Sequence, residues 1–365
     1  MSTGFAPSAF PWGELKVTWT GDAEYVTPPT SQPLTVSDAD DSDRDYIWQL
    51  PDRKDVESVA RYHLGGLHPV HLSEIYSGSS GTDYCIIHKL GVGSFSHVNR
   101  AVALKFITSA STGHTNEIAI HEYLASRAHD VGYDNILMAV DTFQVNGPNG
   151  LHNVIVTNPI ASLFDLYKPS LRMIEHLNEV DIIRQILQGT AFLHKNGIVH
   201  GDLHCGNISI EFPLFRTGGT TWLSDSIEFP KLFLCVACDP ALTTSSVPKY
   251  IVANTPLPLW GMQEHAAKLV VKLVDFGCAF RPGTNDVLVR HERSPRVFTA
   301  PECIISDSAS APPQLQVPWS YQSDIWTLAC SLFEIYSRQP GQNPLFGGTS
   351  LGLEIARLLG PIPEQ

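Results

Sequence analysis

No apolar run in this chain approaches the ~18 residues of a membrane-crossing helix. The start, MSTGFAPSAFPWGELK, lacks a basic stretch followed by an apolar one, so no secretory signal is visible. There is no cysteine framework either. The seven cysteines are scattered and odd in number, which suits a reducing compartment, cytoplasmic or nuclear, rather than a disulfide scaffold. Basic residues are the minority, 24 Lys plus Arg against 37 Asp plus Glu, for a net charge of −13. With no basic cluster interleaved with aromatics, direct nucleic-acid binding is not expected, and basic partners are favoured. Internal repeats are absent. What is present is a 43% hydrophobic fraction with 17% charged residues, enough for a sizeable core. A length of 365 residues fits two domains or one large two-lobed enzyme.

Residues 1–58 read as a disordered leader. A Thr/Pro/Ser stretch from Val26 to Ser37 precedes a run from Asp38 to Glu57 with eight acids against three bases. Beyond about Tyr62 the pattern is β-rich, with strand-like runs Tyr84–Leu90, Val102–Ile107 and Val154–Thr157 and one helical segment near Glu117–Ala128. From Leu177 it becomes helical. Val180, Ile183, Leu187 and Ala191 recur at helical spacing, and Lys195-Asn196-Gly197 ends the run. Ile325, Leu328, Leu332 and Ile335 repeat that spacing behind Ser323, read as the N-cap. A small sheet-rich half followed by a larger helical half is an α+β, two-lobed plan. Residues 59–160 form the first lobe and its exit, and 161–365 the second. Residues 211–268, punctuated by Gly, Ser and Pro, read as a loop insertion within the second. The lone Cys235/Cys238 pair in this insertion lacks the second pair a zinc site would need.

Four separated segments carry chemistry. Leu90-Gly91-Val92-Gly93-Ser94-Phe95-Ser96-His97-Val98 follows a strand-like run, and its glycines let backbone approach a polyphosphate. Ala103-Leu104-Lys105 ends an apolar strand with a lysine suited to phosphate oxygens. An acid must hold that lysine; Glu122 is the first choice and Glu117 the fallback. In His200-Gly201-Asp202-Leu203-His204-Cys205-Gly206-Asn207, an Asp precedes an Asn by five positions. Phosphoryl transfer asks this of a loop, the Asp for the nucleophile's hydroxyl proton and the Asn for Mg²⁺. Val274-Asp275-Phe276-Gly277 adds a carboxylate for the same hard ion. Ala300-Pro301-Glu302 and Ser323-Asp324-Ile325-Trp326 follow in order.

In this order the segments resemble a eukaryotic protein kinase, from about Val59 to the last residue. More narrowly the chain is similar to the SR-protein kinases, on Tyr62-x-x-Gly65-Gly66-x-His68-Pro69-Val70 and Gly93-x-Phe95-Ser96-x-Val98. The 68 positions between Asn207 and Asp275 add to that likeness. The resemblance implies transfer of the ATP γ-phosphate to Ser or Thr hydroxyls, in Arg/Ser-rich, basic protein substrates. It makes Asp202 the catalytic base, Asn207 and Asp275 the Mg²⁺ ligands, and Lys105 with Glu122 the phosphate-holding pair. Leu90, Gly91, Gly93, Ser94, Phe95, Val98 and Ala103 would line the nucleotide. Adenine would bond the Asn158 carbonyl and the Ile160 amide, with Thr157 guarding the back of the pocket. Asp324 would brace the catalytic loop through backbone amides.

The chain departs from the family pattern at several positions. Gly201 stands where many protein kinases carry an arginine that clamps a phosphorylated activation loop, which implies activity independent of that modification. His204 replaces a catalytic-loop lysine and Pro295 the threonine that accompanies it. A histidine can take the lysine's part only when protonated, which an ordinary imidazole is only in part at neutral pH. Only seven positions separate Val98 from Lys105, whereas an ordinary hairpin needs roughly twelve, so the second strand of the nucleotide sheet is expected short or missing. The fold is also expected to be incomplete at the C-terminus, leaving Glu302 without an arginine and its surroundings loose. An incomplete gene model leaves gaps of this kind. Two rival readings follow. One is a kinase-like binding module without turnover; the other is a small-molecule phosphotransferase, whose catalytic loop HGDLHCGN also resembles.

Overall fold

The computed structural model describes residues 48–49, 56–90, 94–95, 101–168, 177–212, 230–237, 245–255, 257, 259, 265, 268–284, 286, 296–306, 319–337, 345–346, 354–355, 357–358 and 360. In chain order its strands begin with β1 (Trp48–Gln49), β2 (Ile75–Ser77), β3 (Asp83–Cys85), β4 (Ser94–Phe95) and β5 (Ala103–Phe106). Helix α1 (Glu117–Ala125) precedes β6 (Ala139–Gly147), β7 (Gly150–Thr157) and β8 (Ala161–Ser162). Then come α2 (Leu163–Leu166), α3 (Glu179–Lys195), β9 (Ile208–Glu211), β10 (Leu232–Leu234), β11 (Val236–Ala237), β12 (Tyr250–Val252) and β13 (Val270–Leu273). Helices α4 (Pro301–Ser306) and α5 (Tyr321–Tyr336) complete the series.

The chain divides into two compact units. Met1–Gly113, Ala139–Pro159 and Leu214–Pro258 form the first; His114–Met138, Ile160–Pro213 and Leu259–Gln365 form the second. Most of the leader lies outside the described residues.

In the first unit β4, β5, β7 and β6 make an antiparallel sheet in that order. Strand β5 alternates: Leu104 and Phe106 are buried, while Ala103 and Lys105 face the other side and are half-buried. The strand expected over Tyr84–Leu90 is only the three-residue β3, paired with β2. The two-residue β4 pairs directly with the lysine strand, Phe95 opposite Ala103. Strand β6 goes beyond the sequence reading. It turns into β7 with Gly147 opposite Gly150, and Gly150 holds a φ of 120°. The cluster Asn146-Gly147-Pro148-Asn149-Gly150 was the available turn signal.

Within the interval expected to be an insertion loop, β10 and β12 pair antiparallel. Val252, Leu232 and Tyr250 pack into the core of Leu72, Tyr84, Val102, Leu104, Phe106, Val154 and Val156. The Tyr250 hydroxyl accepts from Leu72 N at 2.9 Å, and Ser246 O accepts from Asn149 Nδ2 at 2.9 Å. The segment is therefore more than loop; its strands complete the hydrophobic face of this unit. Its first residue, Glu211, is the last of β9 in the second unit.

The second unit is organised by α3 and the sheet β13-β9-β8. Asn178 caps α3 by accepting from Asp181 N at 3.1 Å, and Gly197 follows the helix at φ 73°. The apolar residues whose spacing marked this helix are not its buried face. Val180 is 77% exposed and Leu187 46%, whereas Ile182, Ile186, Phe192 and Leu193 are buried together with Gln185, Gly189 and Thr190. Gly189 sits against β13, where an added Cβ would lie 3.0 Å from Leu273 Cδ1. Gln185 serves the same strand's edge: its Oε1 accepts from Val271 N at 2.8 Å. On α5 the N-cap is Ser320, with Ser323 three residues in as the partner of a reciprocal capping box, so the cap assigned to Ser323 is corrected by one turn. Glu302 is not stranded: Ser323 Oγ donates to its Oε1 at 3.2 Å.

The buried face of α3 has a direct test. Ile186→Ala should cost about 2–5 kcal/mol of stability, the range for emptying a packed core position. Val180→Ala should stay within about 0.5 kcal/mol, as exposed sites do. Urea denaturation of the full chain measures both, and equal losses would refute the assignment of faces.

Candidate active site

The second unit brings the two segments expected to hold the metal together by a ladder. β9 and β13 pair with Ile208 opposite Leu273, and one step further Val274 N donates to Asn207 O at 3.1 Å. Asn207 and Asp275 thus leave the same end of adjacent strands, 68 positions apart in sequence. Lys272 supports this pairing from within. Its Nζ donates to Asp134 O at 2.5 Å and forms an ion pair with Glu211 at 3.4 Å, both side chains buried.

The loop from His200 to Asn207 is held at its start by Asp324. This carboxylate, fully buried in the first turn of α5, accepts from His200 N at 2.8 Å and Gly201 N at 2.9 Å. The bracing expected from sequence is therefore present, and His194 Nε2 adds a third contact at 2.9 Å. Gly201 adopts φ 78°, a left-handed conformation that glycine takes without strain. At the loop's end the Asn207 amide reaches back. Nδ2 donates to Asp202 O at 2.7 Å and to Asp202 Oδ2 at 3.0 Å. Asp202 is half-buried and so remains accessible.

Asp275 is exposed, at φ 63°, and its Oδ1 accepts from Gly277 N at 3.2 Å. A non-glycine residue in that region is sparsely populated and marks functional backbone. Phe276 is fully buried, its ring 5.4 Å from His121 and 5.2 Å from His200. Thr115 Oγ1 donates to Gly277 O at 3.2 Å, and Asn116 Nδ2 to Ala279 O at 2.9 Å. Sequence reasoning passed over these supporting residues; their one signal was a polar pair just ahead of a helix.

His204 lies beside Asp202, its Nε2 3.6 Å from Oδ2, and stacks on Phe298 with ring centroids 5.7 Å apart. Cys205 is buried and donates its thiol hydrogen to Glu334 Oε2 at 3.2 Å. Burial foremost, then Glu334, pushes that thiol well above the usual range, which leaves it inert.

Glu122, taken first as the lysine's acid, is exposed. Glu117, the fallback, is 4% exposed and shares the buried face of α1 with Ile120, His121 and Leu124. Its Oε2 lies 3.9 Å from the point where a Cβ on Gly277 would sit. The remaining residues expected at the nucleotide belong mainly to the first unit. Ala103 and Lys105 are on β5, and Ser94 and Phe95 pair with it. Leu90 is half-buried. Thr157 ends β7, and its Oγ1 donates to Asn158 O at 3.1 Å. Ile160 opens the second unit, half-buried. Gly91, Gly93, Val98 and Pro295 lie outside the described residues.

The residues present fit Mg²⁺. With both Asn207 amide hydrogens spent on Asp202, its carbonyl oxygen is the group left to face a cation, and Asp275 adds carboxylate oxygen. An all-oxygen set with one carboxylate is what Mg²⁺ takes alongside phosphate oxygens. Among the described residues no cluster of three or more His, Cys, Asp or Glu suggests a competing metal site.

Comparison with known proteins agrees with this geometry. Residues 84–213 match the protein kinase domain family. The chain is 28% identical over 306 residues to the serine/threonine-protein kinase SRPK of Physarum polycephalum, covering 76% of this chain and 65% of that protein. It is 30% identical over 379 residues to protein kinase dsk1 of Schizosaccharomyces pombe, covering 76% and 64%. Against SRSF protein kinase 3 of Homo sapiens it is 31% identical over 174 residues, 43% of this chain and 30% of that one. The chain thus spans less than two thirds of the length of these relatives. Catalytic-loop geometry, an α+β fold and these likenesses point the same way: residues 84–213 match the protein kinase domain family, and the chain is similar to SR-protein kinases.

Proposed function

We propose that this chain is an ATP- and Mg²⁺-dependent serine/threonine protein kinase acting on Arg/Ser-rich, basic protein substrates. One observation carries the reading: a half-buried Asp202 held by the Asn207 amide, with Asp275 delivered beside them by the β9–β13 ladder. Asp202 orients the substrate hydroxyl and takes its proton. Asn207 Oδ1 and the Asp275 carboxylate would hold Mg²⁺, which when bound neutralises charge on the phosphate oxygens. Lys105 would serve the phosphates; of the two carboxylates expected for it, Glu117 is buried and Glu122 exposed, which favours Glu117. Asn158 and Ile160 supply backbone groups for adenine, with Thr157 behind them.

Charge and the relatives support this substrate class. A net charge of −13 favours encounter with basic segments. The human relative's name, SRSF protein kinase 3, makes SRSF proteins its substrates. No described helix is long and apolar enough to cross a membrane. The scattered, odd-numbered cysteines support a reducing compartment, the cytoplasm or nucleus.

Transfer of γ-phosphate to an Arg/Ser peptide should fall about 10²–10⁴-fold in Asp202→Asn, the usual share of a general base. Equal transfer by both proteins sinks the assignment. Glu117→Gln should lower transfer while Glu122→Gln leaves it near the wild-type rate; the reverse order would restore the sequence expectation. Phosphatase treatment of the purified protein should leave activity intact, because Gly201 has no side chain with which to clamp a phosphate. A large loss would contradict that.

A further inference from the structure

We infer that Arg281 is a positioning residue: its guanidinium, aimed by Asp286 onto the ring of Tyr123, fixes α1 against the segment that follows Asp275. The inference deepens the kinase reading and rests on it, because α1 is the helix that carries Glu117. All the residues involved lie in the second unit.

Residues 276–281 run as a splint between α1 and the entry to the catalytic loop. On the loop side Phe280 exchanges both backbone hydrogen bonds with Val199, Phe280 N donating at 3.0 Å and Val199 N at 2.9 Å. On the α1 side contacts recur at every second residue. Thr115 Oγ1 donates to Gly277 O, Asn116 Nδ2 to Ala279 O, and Tyr123 meets Arg281. The first two hold the start of α1, and Phe276 packs on its middle through His121. Arg281 reaches its last turn. A helix pinned at one end can still tilt; pinned at both, it cannot.

The guanidinium is oriented from its own side of the contact. Nε and Nη2 donate to the two oxygens of Asp286 at 2.9 and 2.8 Å, a bidentate fork, and Arg281 N donates to Oδ2 at 2.9 Å. The turn between them closes with Thr284 N on Arg281 O at 3.2 Å, Gly283 taking φ 79°. Arg281 Cζ then lies 4.9 Å from the Tyr123 ring centre, with Arg127 Cζ 3.7 Å from the same centre. Planar, weakly hydrated guanidinium groups stack on aromatic rings in this way, where an ammonium keeps its water. Arg127 is bound to α1 itself, Nη1 donating to Tyr123 O at 2.5 Å and to Ser126 Oγ at 2.7 Å. The Arg281 side therefore carries the stack to a second segment. Tyr123 is a fixed target, since its hydroxyl donates to Asn196 O at the end of α3, at 3.3 Å.

Two readouts on the full chain test this. Amide hydrogen exchange in the last turn of α1 should quicken about 5–10-fold in Arg281→Met and in Tyr123→Leu, while α5 keeps its wild-type rates. With an Arg/Ser peptide the same variants should lose about 5–10-fold in kcat with KM for the peptide within about twofold, the pattern of lost positioning. The double variant should lose no more than the worse single, because both remove one contact. Tyr123→Phe keeps the ring and should stay near wild type in both readouts. The sharpest variant combines Arg281→Asp with Asp286→Arg. It restores an ion pair to the turn but takes the guanidinium off the ring, so a pair that merely staples the turn predicts recovery and a positioning stack predicts none. Recovery in that swap, losses that multiply in the double variant, or wild-type rates in Tyr123→Leu would overturn the inference. Should Arg281→Met fail to fold, the contrast between Tyr123→Leu and Tyr123→Phe decides. Hydrogen exchange needs no turnover: a chain that transfers no phosphate overturns the kinase reading, and the exchange rates then judge the Arg281 stack on their own.

Discussion

A single buried carboxylate sets the frame of the catalytic loop. Asp324 is inaccessible to water, and a carboxylate in that position is tolerable only if donors replace its hydration. Three do: the His200 and Gly201 amides and the His194 ring. Its place in the first turn of α5 adds the favourable end of the helix dipole. Hydrogen bonds to a charged group contribute about 1.5–3 kcal/mol each, so two amides cannot swing away without a large penalty. Gly201 takes a left-handed φ to offer its N–H in the required direction. From there the chain has few ways to place Asp202.

The far end of the loop is fixed by a different device. Strand pairing of β9 with β13 delivers Asn207 and Val274 as neighbours, and the turn at Asp275 is stabilised by its own side chain accepting from Gly277 N. A strained φ of 63° at Asp275 is offset locally, while Phe276 is locked between His121 and His200. The segments proposed as base and metal site are thus built on rigid elements: a ladder, a helix N-terminus and a buried aromatic. Preorganisation of this kind is what phosphoryl transfer requires of a protein, since positioning and electrostatics do nearly all the catalysis.

Much of this was legible in sequence because the chemistry constrains spacing. An Asp and an Asn five apart, a later Asp-Phe-Gly and a Ser-Asp at the start of an apolar helical run survive as patterns. Packing choices were less legible. On α3 two stripes share the helical period. Val180, Ile183, Leu187 and Ala191 are all apolar, yet lie outward or half-buried. The buried face carries Gln185, which hydrogen-bonds β13, Gly189, which allows close approach, and Thr190, whose hydroxyl donates to Ile186 O within the helix. Counting apolar residues selects the wrong stripe whenever the true one is built for proximity. The insertion misled for the complementary reason. Its Gly, Ser and Pro residues advertise loop, while the few apolar residues of β10 and β12 finish a core begun some 150 positions earlier.

Glu117 and Glu122 differ in burial, and helix geometry alone separates them. Five residues of α-helix turn the chain by about 500°, so the two carboxylates face directions roughly 140° apart, and at most one can share the buried face. Ile120, His121 and Leu124 stand three, four and seven residues after Glu117, the spacing of a single stripe. Glu122 falls outside that stripe. An acid set within an apolar stripe is expensive to bury and persists only where something compensates it, whereas an acid on the opposite face needs no explanation. The informative carboxylate was the one in the wrong chemical company.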